Sequence, residues 1–162
     1  MTRLPHFQLF IDGTWCEGTD GHVMESRNPA TGQVWSTFAC AAPQDIDRAI
    51  AAAARVLDDP VWRDMTQTQR GKLLYRLATL IEENAEELGR LETTDSGKLA
   101  TETVGQTRYV ADYYRYFAGL ADKIEGAVLP IDKPNMFTYT RHEPVGVVAA
   151  ITPWNSPLLL AT

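Results

Sequence analysis

The first forty residues alternate short apolar runs with residues that favour turns. Leu9–Ile11 and residues 14–15 lie on either side of Asp12-Gly13. An Asp-Gly pair between apolar runs predicts a β-hairpin, because its tight turn needs positive φ angles. Residues 28–32, with the sequence Asn-Pro-Ala-Thr-Gly, predict a second turn. Residues 33–40 carry bulky side chains on both faces, which predicts a strand that is covered on both sides.

The periodicity then changes to that of amphipathic helices. Apolar residues recur at three- and four-residue spacing over 43–57, which predicts one helix. Thr66 can cap a second helix, and a shorter helical piece over 85–92 is broken at Ser96-Gly97. A further helix is predicted over 101–120, and its aromatic stripe is interpreted as core packing. The aromatic residues are Tyr109, Tyr113, Tyr114, Tyr116 and Phe117.

Residues 145–151 form a continuous apolar run between Pro144 and Pro153. Such a run is typical of a parallel strand that is buried on both faces. The following Asn-Ser-Pro, residues 155–157, predicts a helix start with an asparagine cap and proline in the first turn. One such strand cannot form a sheet alone, and a parallel partner needs a crossover of about a dozen residues or more. We therefore expect the sequence to stop within its first strand–helix unit.

Composition excludes several classes of protein. The formal net charge is −6 and the sequence pI is about 5.0, which argues against nucleic acid as a partner, since phosphate binding needs a basic surface. No stretch approaches the roughly 20 apolar residues of a membrane span, and no signal-peptide pattern follows the amino terminus. Only two cysteines are present, without zinc-binding spacing. We expect a cytoplasmic protein.

Asn155 is the residue with the clearest chemical potential. In open parallel sheets, ligands bind beyond the carboxyl ends of the strands, and Asn155 follows the predicted strand 145–151 at that end. Its neutral amide could donate a hydrogen bond to an oxyanion that develops on an attacked carbonyl. Spacing alone favours the simpler interpretation, in which Asn155 is only the N-cap of the next helix.

Four motifs, in order, resemble the aldehyde dehydrogenase superfamily. Residues 10–15 resemble the opening hairpin of that family, and residues 28–32 resemble its next turn. Residues 91–98, Leu-Glu-Thr-Thr-Asp-Ser-Gly-Lys, resemble its Leu-Glu-Thr-x-Asp-x-Gly-Lys element. Residues 144–157 resemble its Pro-Trp-Asn segment. The resemblance runs from about residue 7 to residue 162, and it reverses the interpretation of Asn155 in favour of a catalytic role.

The resemblance implies an α/β fold, of which this chain forms the amino-terminal part. A β-hairpin and helices over 1–125 would pack on a Rossmann-like cofactor domain. Residues 126–143 would supply strands of an oligomerisation arm. Residues 144–162 would supply the first strand and the helix start of the dinucleotide-binding fold. The implied assembly is a homo-oligomer, a dimer or tetramer.

The same resemblance implies oxidation of an aldehyde to a carboxylic acid with NAD(P)+, with NAD favoured. A cysteine thiolate attacks the aldehyde, hydride passes to the cofactor, and a glutamate-activated water releases the acid from a thioester. Asn155 matches the residue that stabilises the oxyanion. Ile151, Thr152, Pro153 and Trp154 match the segment that lines the cofactor.

The catalytic cysteine and the general-base glutamate of the family lie downstream of the Pro-Trp-Asn segment. Cys16 and Cys40 stand in strand-like contexts and are interpreted as structural thiols. The resemblance therefore implies that residues 1–162 alone are inactive. The alternative is a non-catalytic fragment or short paralogue that associates with full-length subunits. An unrelated small helical domain would leave the segment 144–157 unexplained.

Three smaller predictions concern polar residues. Some relatives hold a monovalent cation at positions that match Ser26, Arg27 and Asp95, whereas the simpler interpretation is that Asp95 ends a helix. Lys98 follows Gly97 in a turn and is expected to be solvated. The three histidines are expected to lie at the surface without a catalytic partner. They are His6, His22 and His142.

Overall fold

The computed structural model describes residues 4–162, so the first three residues of the predicted region 1–125 lie outside it. Within the described part, short strands come first, a group of helices follows, and two further short strands precede a final helical turn. The strands are β1 (His6–Phe7), β2 (Leu9–Ile11), β3 (Thr14–Cys16), β4 (Val23–Arg27), β5 (Val34–Ala39), β6 (Val128–Leu129) and β7 (Thr138–Tyr139).

The predicted hairpin is confirmed. β2 pairs antiparallel with β3, and Phe10 faces Trp15 across the pair with ring centroids 4.8 Å apart. Asp12 has φ 53° and Gly13 has φ 75°, so both central turn residues have the left-handed backbone that matches the twist of a two-residue hairpin.

β5 is the central strand of a three-stranded sheet. β1 pairs with it in parallel and β4 pairs with it antiparallel. Ser36 and Ala39 are buried and lie three positions apart, so they point to opposite faces of β5. The prediction of a strand covered on both sides is confirmed. The turn at 28–32 closes the β4–β5 connection, where the Asn28 side chain accepts a hydrogen bond from the backbone N–H of Ala30 at 2.9 Å.

The helices match the sequence periodicity closely. At the start of the helix over 67–83, the hydroxyl of Thr66 accepts from the backbone N–H of Gln69, and the Gln69 side chain accepts from that of Thr66. This capping box satisfies two amides that otherwise lack partners. One short helix was not predicted; Asp59 caps it by accepting from the N–H of Val61 at 2.9 Å. The helices are α1 (Pro43–Val56), α2 (Pro60–Arg63), α3 (Gln67–Glu83), α4 (Ala85–Ser96), α5 (Ala100–Leu120) and α6 (Pro157–Leu160).

The core lies where α5 packs against α3 and α4. Ala78 and Ile81 of α3 meet Val110 and Ala111 of α5, and Leu159 packs against this cluster. Gly89 of α4 lets the helices approach closely, since a Cβ there would stand 2.7 Å from the backbone nitrogen and Cα of Val104. Small residues at the contact thus set the distance between the helix axes.

The interpretation of the aromatic stripe as core packing is wrong for all but Tyr114, which packs partly buried against the core. Small side chains such as Thr107 and Ala111 occupy the buried face of α5, so its opposite face carries the large rings into solvent. The apolar stripe predicted for α1 is likewise largely exposed. The four exposed aromatic residues of α5 are Tyr109, Tyr113, Tyr116 and Phe117.

The strand predicted over 145–151 is also wrong as a description of this chain. Residues 144–153 form no helix, strand or turn, and Ile151 is 95% exposed. A buried parallel strand needs hydrogen-bonding neighbours and covering helices, and no strand within residues 4–162 pairs with this run. By contrast, strands are present near 127–141, where β6 pairs antiparallel with β7.

Among residues 4–162, no helix combines the length and apolar character that a membrane crossing requires.

Candidate functional site

Asn155 lies in an exposed turn between the extended segment 144–153 and helix α6. Trp154 occupies the same turn and is 81% exposed. The N-cap of α6 is Ser156 rather than Asn155. The helix-cap interpretation of Asn155 is therefore wrong by one residue, and its amide has no capping role in α6.

Lys98 holds the residue next to Asn155. Its ammonium group donates to the hydroxyl oxygen of Ser156 at 2.9 Å, across 58 residues of sequence. The Lys98 side chain is only 17% exposed, so the expectation that it is solvated is wrong. The sequence offered one signal for this contact, namely that Lys98 and Ser156 both belong to motifs that carry the family resemblance.

Polar side chains of α4 and α5 surround the Lys98 ammonium. It lies 3.2 Å from Glu92, whose side chain is 6% exposed, and it donates to the amide oxygen of Gln106 at 2.5 Å. Glu102 lies 3.6 Å away and accepts from the Gln106 amide at 3.2 Å. Helices α4 and α5 thus supply a polar cluster beneath the Pro-Trp-Asn turn.

Two of the three predicted cation ligands lie together. The Ser26 hydroxyl donates to the Asp95 carboxylate and accepts from the indole N–H of Trp35 at 2.9 Å. The Arg27 side chain pairs with Glu25 at 2.7 Å, and the prediction concerns the backbone carbonyl of Arg27 rather than its side chain. Among residues 4–162, no group of three or more His, Cys, Asp or Glu side chains could hold a metal ion. The monovalent cation site, which relies on backbone carbonyls as well, stays a prediction.

Gly97 links the second and third motifs of the resemblance. It ends α4 with φ 79°, and a Cβ there would stand 2.8 Å from the ring of Pro29. The positive φ and the close ring both favour glycine at this position. The turn at 28–32 and the end of α4 therefore pack as one unit beside the Ser26–Asp95 contact.

An open groove connects the Ser26–Asp95 contact with the start of α6. Its volume is about 550 Å³, and it runs from Ser26 and Asp95 to Pro157 and Leu158 at the start of α6. The walls are mostly apolar and come from β1, β5 and α4. They include Phe7, Trp35, Phe38, Leu88 and Leu91.

His6 has polar side-chain partners, whereas the two cysteines form no disulfide with each other. His6 is not without partners, because its two ring nitrogens lie 2.8 Å from the Thr37 hydroxyl and 3.0 Å from the Glu17 carboxylate. Hydrogen bonding from His6 lowers the pKa of Glu17 below its ordinary value. Cys16 and Cys40 are free thiols, both half-buried.

Comparison with known proteins places these observations in one family. The sequence pattern of the aldehyde dehydrogenase family matches residues 15–162. The chain is 51% identical over 158 residues to (Z)-2-((N-methylformamido)methylene)-5-hydroxybutyrolactone dehydrogenase of Acinetobacter baylyi, covering 98% of this chain and 32% of that protein. It is 40% identical to the human mitochondrial 10-formyltetrahydrofolate dehydrogenase, over 99% of this chain and 18% of that protein.

Solved structures of similar fold come from the same family. An NAD-dependent aldehyde dehydrogenase from Sinorhizobium meliloti superposes with a TM-score of 0.91 at 31% identity, over 98% of this chain and 32% of that one. A double mutant of betaine aldehyde dehydrogenase from Staphylococcus aureus, in complex with NAD+, gives 0.89 at 38% identity, over 95% and 31%. The chain spans about a third of the length of these two proteins. The predicted α/β fold class is confirmed, and the chain belongs to the aldehyde dehydrogenase family.

Proposed function

We propose that this chain forms the amino-terminal third of an NAD(P)-dependent aldehyde dehydrogenase subunit that oxidises an aldehyde to a carboxylic acid. The observation that carries the proposal is the exposed amide of Asn155, which lies in a turn whose capping position Ser156 already fills. Family membership of residues 15–162 supports the reaction class.

Asn155 would act as the oxyanion donor. When a nucleophile attacks the aldehyde, negative charge grows on the carbonyl oxygen, and a fixed amide N–H stabilises that charge more than it stabilises the neutral substrate. One such donor contributes roughly 3–4 kcal/mol to transition-state stabilisation. A neutral amide does this without placing a fixed charge beside the path of the hydride.

Residues 151–154 fit one face of a dinucleotide. Ile151 and Trp154 present their side chains to solvent, and the backbone of 151–153 takes part in no ladder or helix. The segment can therefore offer apolar contact and free backbone groups to a nicotinamide ring and its ribose. The bound cofactor would accept the hydride. The solved relative in complex with NAD+ favours NAD over NADP.

The nucleophile and general base would come from polypeptide outside residues 1–162. Cys16 ends β3 and Cys40 follows β5, and neither matches the family's catalytic cysteine. The resulting expectation is that residues 1–162 alone do not oxidise aldehydes. The β6–β7 pair would contribute to the arm through which subunits form a homo-oligomer in the cytoplasm.

The test is Asn155→Ala in the complete subunit that carries this chain. We expect kcat for aldehyde oxidation to fall roughly 100- to 1000-fold, since one oxyanion donor is removed. The KM for NAD+ should change little, because the cofactor does not contact the oxyanion. Gln44→Ala, which removes an exposed amide from α1, is the matched control and should leave kcat unchanged. An Asn155→Ala enzyme that keeps more than a tenth of its kcat would contradict the proposed role.

A further inference from the structure

The ammonium group of Lys98 has all of its hydrogen-bonding capacity in use. A lysine ammonium carries three donors and no acceptor. The three acceptors are the Glu92 carboxylate at 3.2 Å, the Gln106 amide oxygen at 2.5 Å and the Ser156 hydroxyl oxygen at 2.9 Å. Two of these belong to the helical layer and one to the Pro-Trp-Asn segment, so Lys98 joins the two regions.

The helical side of this cluster is preorganised. Glu92 is buried on α4 and neutralises the ammonium, while Gln106 is oriented by its own donation to Glu102 at 3.2 Å. A buried carboxylate without a cation would be strongly disfavoured, which keeps Lys98 in place. The ammonium therefore offers its third donor from a fixed position.

Ser156 uses its hydroxyl in an unusual way for its position. It is the N-cap of α6, where serine ordinarily accepts from an amide of its own helix, yet it makes no side-chain cap bond. Its oxygen instead accepts from Lys98, and the residue is 8% exposed. Among the described residues 124–162, Ser156 alone is buried. The Ser156 hydroxyl thus anchors the segment directly after Asn155 by a hydrogen bond, and Leu159 packs on the helical core just beyond it.

We propose that Lys98 is a positioning residue that fixes the Asn155 amide through Ser156. The inference rests on the proposed oxyanion role of Asn155. Catalytic donors must be held in place before the reaction, and a mutation far from the chemistry that misplaces them by about 1 Å can cost about a hundredfold in rate. Lys98 does not touch the substrate; it restricts where the backbone of Ser156, and hence Asn155, can lie.

A double-mutant cycle on the complete subunit tests the tether. Ser156→Ala and Lys98→Met each break the same hydrogen bond, so each should lower kcat roughly 10- to 100-fold with little change in KM. The double variant should be no worse than the poorer single variant, because the two residues act as a unit. Lys98→Arg keeps a charged donor and should recover part of the loss. Lys123→Met, at an exposed lysine, is the matched control.

Kinetic outcomes separate the alternatives. Wild-type kcat in Ser156→Ala, or losses that multiply in the double variant, would overturn the tether. If Lys98→Met fails to fold, Ser156→Ala decides the question alone. If Asn155→Ala is harmless, the proposed oxyanion role fails, and the tether is judged by a measurement that needs no activity.

That measurement is amide hydrogen exchange in the first turn of α6. The amides of Leu160 and Ala161 donate to Ser156 and Pro157, both at 3.0 Å. Release of Ser156 should let this turn open more often, so both amides should exchange at least several-fold faster in Ser156→Ala and Lys98→Met. Unchanged exchange in both variants would overturn the tether whatever the activity.

Discussion

Residues 4–123 and residues 124–162 differ in where their contacts lie. The first region supplies both sides of its own core, in which Ala78, Val110 and Ala111 are fully buried between α3 and α5. In the second region, as far as the structure describes it, only Ser156 is buried. The first region is therefore organised by internal packing, whereas the segment that carries Asn155 turns its apolar surface outward, where a further protein layer or a cofactor could cover it.

The most severe test of this contrast places a charge on each region. Val148 is 71% exposed and Val61 is 78% exposed, so both changes to aspartate look equally harmless in this chain. If the complete subunit covers residues 145–151, Val148→Asp buries an unpaired carboxylate and should cost several kcal/mol, while Val61→Asp should stay within about 0.5 kcal/mol. The thermal midpoints of both variants in the complete subunit give the answer. Equal tolerance would mean that 145–151 stays uncovered.

Local signals explain how much of the first region could be predicted. The turn at Asp12-Gly13 and the cap at Thr66 depend on neighbouring residues only, and both were found in the structure where expected. The choice of buried face was not local. Helix α5 has a small-residue face and an aromatic face, and periodicity alone cannot tell which of the two its partners cover. The short helix α2 was missed, although Asp59 and Pro60 carry its start signal.

The second region shows the complementary limit. The hydrophobic run at 145–151 has the composition of a buried strand, but a strand needs neighbours that residues 4–162 do not place beside it. The motif is what proposes Asn155 as the oxyanion donor, whereas the helix cap predicted at Asn155 falls one residue later, on Ser156. The contact from Lys98 spans 58 residues, and no spacing rule connects residues so far apart.

Close packing of α4 on α5 at Gly89 tests how far internal packing holds the first region together. A Cβ at Gly89 would press on the backbone of Val104, while a Cβ at Gly105 would meet nothing within 4 Å. Gly89→Ala should therefore lower the free energy of unfolding by about 1–3 kcal/mol through overpacking. Gly105→Ala should raise it by up to about 1 kcal/mol, because alanine has the higher helix propensity. Chemical denaturation measures both, and a stabilised Gly89→Ala variant would show that α4 and α5 can separate at no cost.

The smallest expected effect is a loss of fold stability in acid. Near neutral pH this loss is small. Asp45 is fully buried at the start of α1 and accepts from the Thr19 hydroxyl, from the backbone N–H groups of Thr19 and Ala42, and from Arg48. These hydrogen bonds, led by that of the Thr19 side chain, hold the pKa of Asp45 far below its ordinary value. A carboxyl whose pKa is lower in the folded state stabilises the fold above its unfolded pKa of about 3.9 and loses that contribution as pH falls further.

The Asp45 carboxylate fixes α1 to the loop that carries Thr19. The stability of the first region therefore depends on this buried carboxylate staying ionised. We expect the thermal midpoint to fall as pH drops below about 4, and Asp45→Asn to weaken this pH dependence while lowering the midpoint at neutral pH. Asp47→Asn, which alters an exposed carboxylate on the same helix, is the matched control and should change both quantities less. If Asp45→Asn left the acid dependence intact, the buried hydrogen bonds of Asp45 would not be what holds α1 in place. The contrast between the two regions would then rest on apolar packing alone.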